Sequence, residues 1–134
     1  MTTIAPAALT PSAIAQSGIA AATLKLNVSA SNLANADDES PVGSGGDYQA
    51  QGVAQSPAPG GGVSARVVTL SPAQVLAYDP GSPIASGQGL VDTPDIDPIT
   101  EVTNQLVAGK AFAMSLIALK IADEEQQSLL DITT

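Results

Sequence analysis

The 134-residue chain is long enough for one domain, and its 13 acidic and 4 basic residues give a net charge of −9. Neither cysteine nor histidine occurs, which excludes disulfides, thiolate nucleophiles, imidazole bases and the usual zinc sites. The bases Lys25, Arg66, Lys110 and Lys120 are scattered, so the chain offers no electrostatic footprint for nucleic acid or for an anionic membrane surface.

Apolar residues make up 44% of the chain, but the only aromatics are Tyr48, Tyr78 and Phe112. An aromatic side chain buries roughly 150–250 Å², so a compact core has little to fill it. Many small contacts between long elements, or between copies, suit this composition better. The first 24 residues carry no charge, yet they lack a basic leading region and are broken by Pro6 and Pro11, so no cleaved signal peptide is expected. The apolar run from Ala111 to Leu119 is about half the roughly 20 residues that cross a bilayer, and no transmembrane helix is expected.

Helix breakers divide the rest. All ten prolines fall within residues 6–11 or 41–98, and ten of the twelve glycines lie between Gly43 and Gly89. The expected layout is a flexible N-terminus over 1–11, a helical core built from two arms over 12–36 and 98–134, and a Gly/Pro-rich β insert and connector over 37–97.

Thr10-Pro11-Ser12 supplies the first start signal, with Thr10 or Ser12 as N-cap and proline tolerated in the first turn. Apolar positions then recur every seven residues: Ile14, Ala21 and Val28 in one row, Ile19, Leu26 and Leu33 in another, with Leu24 between. Such rows predict a coiled-coil-like seam, and a helix with Lys25 as its one charge calls for neighbours on several sides. Asn32 and Asn35 near its end have two readings: caps for the last carbonyls, or amides that fix register against a partner helix.

Asp37-Asp38-Glu39 lacks the glycine and ligand spacing of an EF-hand and reads as a solvated acidic loop. Residues 42–62 read as loop, and their glycines do not form a phosphate cradle. Val63 to Leu70 reads as a strand, as does Val75 to Tyr78, which is stopped by Asp79-Pro80-Gly81. Asp97 as N-cap with Pro98 in the first helical position opens the second arm, and Glu101 adds favourable charge to its first turn. Along that arm Val102, Leu106, Gly109, Ala113, Leu116 and Leu119 keep helical spacing. Gly109 costs about 1 kcal/mol in a helix interior, which points to close backbone approach by a neighbour. The fold class is therefore mainly α: two long terminal helices form an antiparallel coiled-coil-like core, with a small irregular β-rich insert between them. The acids Asp95, Asp97 and Glu101 are accounted for by a helix start, and no base or nucleophile partners the serines, so no enzyme is expected. No cofactor, metal ligand or catalytic residue is assigned.

Ala30-Ser31-Asn32-Leu33-Ala34-Asn35-Ala36 resembles the N-terminal signature of bacterial flagellar rod, hook and hook-associated proteins. The segment from Tyr78 to Ala85, then Gly89-Leu90-Val91 and Pro94-Asp95-Ile96-Asp97, is similar to the connector of the proximal-rod branch. Glu101, Asn104 and the stretch from Ala108 to Ser115 fit its C-terminal arm. The chain departs from the family at Lys110, Phe112 and Ser115, where arginine, tyrosine and asparagine are usual, and it lacks Thr-Pro-Gly-Tyr after Asp37. The resemblance implies a structural subunit exported without a cleaved signal and assembled in the periplasmic rod. Its implied partners are copies of itself, other rod subunits, the base of the basal body and adjoining axial proteins. It also implies arms that are disordered in the free subunit and become helical on assembly. The other reading is a non-polymerising export adaptor or secreted binding module with the same arms.

Overall fold

A computed structural model describes residues 9–46 and 48–132. The flexibility expected of the N-terminus falls mostly on residues outside this range. The first described element, α1 (Pro11–Ala34), begins where Thr10 Oγ1 accepts the Ala13 amide at 3.2 Å. It ends at Asn35, whose amide returns to the Ser31 and Asn32 carbonyls.

Two antiparallel hairpins follow. Strand β1 (Gln51–Pro57) pairs with β2 (Val63–Thr69) in a register from Gln51↔Thr69 to Pro57↔Val63. Strand β3 (Gln74–Tyr78) pairs with β4 (Leu90–Pro94). The expectation of a loop over 42–62 is corrected by β1. Gln51-Gly52-Val53-Ala54-Gln55-Ser56-Pro57 has a single β-branched residue, and its strand conformation comes from pairing with β2 rather than from propensity. The β4 strand was likewise hidden in what reads as connector. The insert is thus two regular ladders rather than an irregular segment.

The first hairpin lies along α1 as a strap. Its turn passes through Gly60, Gly61 and Gly62, at φ of 89°, 111° and 83°, a region that side chains disfavour. At that tip the Gly60 carbonyl accepts the Leu9 amide at 2.9 Å, and the Val63 amide donates to Ser17 Oγ at 3.0 Å. The two ladders meet at Ala73, whose carbonyl accepts the amides of Ala50 and Asp95. Ala50 at this junction and Val91 further along β4 are fully buried. Ser40 and Asp92 exchange backbone hydrogen bonds at 2.9 Å, while Asp92 Oδ2 accepts the Gly43 amide at 2.7 Å. The acidic exit from α1 is thereby tied to β4.

Helix α2 (Pro98–Ile132) starts as its sequence predicts. The Asp97 carboxylate accepts the amides of Ile99 and Thr100 and the Thr100 hydroxyl. Those hydrogen bonds, led by the one from the Thr100 hydroxyl, hold the Asp97 carboxyl below its ordinary value. At 1.5 Å per residue, the 24 residues of α1 and 35 of α2 make rods of about 36 and 52 Å. They pack antiparallel: Ser29 meets Glu101 at one end and Ser12 meets Asp123 at the other.

Candidate assembly surface and its polar node

The contact between the helices is built from small residues, with Glu101 as the exception at one end. On α1 it uses Ala15, Gly18, Ala22 and Ser29, and on α2 Glu101, Ala108, Ser115 and Ala122. Gly18 is a point of close approach, since a Cβ built there would lie 2.7 Å from Ser115 Oγ. The departure from the family at Ser115 is matched by this glycine across the seam. At Gly109, by contrast, an added Cβ meets nothing within 4 Å, so the close approach expected there does not occur among the described residues.

At one end of the seam stands Asn32, 1% exposed. Its Nδ2 donates to Glu101 Oε1 at 2.9 Å and to the Gln51 carbonyl at 2.8 Å. Its Oδ1 accepts the Gln51 amide at 3.1 Å and the Tyr48 hydroxyl at 2.8 Å. Both donors and both acceptor sites of the amide are therefore used. Ser29 Oγ adds a hydrogen bond to the Glu101 carbonyl at 2.8 Å. One buried side chain thus ties α1, the insert and α2 together. The two readings of the asparagines separate here: Asn35 is the cap, its Nδ2 reaching the Ser31 carbonyl at 2.7 Å, while Asn32 fixes how elements meet. Sequence reasoning missed Tyr48 and Gln51, which lie in a stretch read as loop. It assigned Glu101 to the helix dipole, although Glu101 is buried at 7% exposure.

The remaining candidate residues fall on two surfaces. In α1, Val28 is buried, Ile19, Leu24 and Leu26 are half-buried, and Ile14 and Leu33 are exposed. In α2, Leu119 and Gly109 are half-buried, while Val102, Leu106, Ala113 and Leu116 face away from α1. Their exposure is high, 56% for Val102 and 60% for Leu106. Ile99, Met114, Ile117 and Ile121 extend the same outward apolar surface, whereas Val107 borders the space beside α1. The hydrophobic row of α2 is therefore turned about one residue away from the seam. The seam takes the small residues and the large ones remain outside. Among the described residues, no group of three or more acids is placed to hold a metal ion.

No family model matches the chain. Individual relatives do. The flagellar basal-body rod protein FlgC of Salmonella typhimurium is 37% identical over 113 residues, spanning 79% of this chain and 83% of the relative. FlgC of Escherichia coli O6:H1 is 36% identical over the same shares. FlgC of Buchnera aphidicola is 33% identical over 129 residues, which covers 90% of this chain and 93% of that one. The chain belongs to the FlgC family of flagellar basal-body rod proteins. In this FlgC-family chain, the two helices with paired hairpins between them give a mainly α fold with a β insert. Membership also explains why the chemistry of the site is packing chemistry: hydrogen-bonded amides, small seam residues and a bare apolar face.

Proposed function

We propose that this chain is a structural subunit of the proximal rod, assembling through its terminal helices into the axial shaft that transmits torque and encloses the export channel. The observation that carries the reading is the outward face of α2. Monomeric proteins rarely expose contiguous apolar patches larger than a few hundred Å², and this one runs from Ile99 to Ile121. Neighbouring helices of copies and of other rod subunits cover it, in antiparallel coiled-coil-like packing that Val102, Leu106, Gly109, Ala113 and Leu116 extend between chains. In α1 the exposed Ile14 and Leu33 serve the same contacts.

By length and composition α2 is also long and apolar enough to cross a membrane. Burial of Glu101 and Asn32 against each other within a folded pair, and the rod proteins named above, favour protein neighbours over lipid. The alanine and glycine seam buries little, so the arms of a free subunit are marginally stable and gain order as neighbours add area.

The test is to tag the chain in flagellated cells and isolate basal bodies. Co-purification with the rod is expected. A chain that is exported yet absent from basal bodies is the non-polymerising adaptor instead.

A further inference from the structure

Between the first hairpin and α2, with α1 as floor, run three adjoining cavities of about 210, 240 and 500 Å³. Neighbouring cavities share walls: Lys25 and Val107 line the first two, and Gly18, Val63 and Ser115 the last two. They form one trough along α1 with a floor of small side chains. Lys25 stands within it and has no hydrogen-bond or ion-pair partner among the described residues.

The same molecule carries a segment of complementary chemistry. Gln126 Nε2 donates to Ser12 Oγ at 3.3 Å, and α1 begins at Pro11, so the last turns of α2 extend past the end of the pair. Leu129 and Ile132 there are 65% and 79% exposed. Among the acids of these turns, Asp123 accepts the Ser12 hydroxyl and Glu124 pairs with Lys120 at 3.7 Å, while Glu125 stands exposed beside them. Large apolar side chains with the exposed Glu125 close by fit a trough that is mostly apolar around Ile14, Ala15 and Ala118 and turns polar at Lys25, Glu101 and Asn104.

We propose that the C-terminal end of α2 seats in the trough of a second copy of this chain, beside Lys25 and Val107. The contact joins two different surfaces, so it repeats head to tail instead of closing on itself. It rests on the rod-subunit reading and adds which surfaces of two copies meet.

The chain has no cysteine, so disulfide trapping can be placed at will. Val107 and Leu129 lie on one helix about 33 Å apart, far beyond the roughly 7 Å that a disulfide bridges. Any Val107–Leu129 disulfide is therefore between chains. Full-length Val107→Cys and Leu129→Cys chains, mixed under oxidation, should form a heterodimer, and the double variant should form a ladder. Lys25→Glu should reduce that ladder severalfold. The purified protein and isolated basal bodies are both probed. A ladder absent from both overturns the contact, as does Leu129→Cys alone cross-linking as well as the mixture, or linking to a different protein. Basal bodies that contain the chain but yield no such disulfide sink the contact and leave the rod reading standing. A ladder in purified protein, with the chain missing from basal bodies, does the reverse.

Discussion

Asn32 Nδ2 and Glu101 Oε1 lie 2.9 Å apart across the seam, both buried and 69 residues apart in sequence. The alanines along the rest of the seam are nearly interchangeable with one another, so they resist sliding poorly. A buried polar pair at one end selects a single register, as a lone asparagine does in a coiled coil.

Asn32→Ala removes four hydrogen bonds of the node at once. The Gln51 backbone and Glu101 each lose a buried partner, while the Tyr48 hydroxyl keeps Ser31 Oγ at 3.1 Å; each orphaned group costs about 1–3 kcal/mol. A loss of about 2–4 kcal/mol is expected after partial rehydration. Urea unfolding followed by helical circular dichroism measures it, and an unshifted midpoint would show that the node does not hold the elements together.

Gly18 and Ser115 form a pair that can be exchanged. Gly18→Leu forces the helices apart and should cost about 1–3 kcal/mol. Gly18→Ala gains roughly 1 kcal/mol of helix propensity but crowds Ser115 Oγ. Combined with Ser115→Ala it should be neutral or stabilising. A double-mutant cycle in which the two changes merely add would refute the close approach.

Leu106→Asp and Leu116→Asp fall on the outward face. Their effect on the midpoint of the isolated chain should stay within about 0.5 kcal/mol, while swimming and incorporation into basal bodies are abolished. Leu33→Asp, at the exposed edge of the α1 signature, should behave in the same way. Normal motility in these variants would remove the assembly role from these surfaces.

Asp97 predicts a pH effect of known sign. Its carboxyl is held below the ordinary value of 3.8, so its contribution is complete above that value. It is lost as pH falls through the lower folded value. Asp97→Ala should lower the thermal midpoint at pH 7 and make little difference at strongly acidic pH. Equal effects at both would show that the cap acts without its charge.

The helix starts were legible because caps are local: Thr10-Pro11 and Asp97-Pro98 announce themselves within two residues. Val63 to Leu70 was legible because its β-branched residues favour strand geometry. β1 was not, because Gln51–Pro57 is a strand only in the presence of β2. The node was invisible for a related reason. Tyr48, Gln51 and Glu101 become one site only after the chain folds back on α1. The seam was misread because large apolar residues ordinarily mark the buried face, whereas here the alanines are buried and the large residues point outward.

The strap along α1 has a mechanical consequence. A pull on α1 loads the Ser17–Val63 and Leu9–Gly60 hydrogen bonds as well as the helix seam, whereas a pull on α2 loads the seam and its polar ends. The two arms therefore differ in stiffness. Within the rod, α1 with its hairpin is the stiffer arm and α2 the more compliant one.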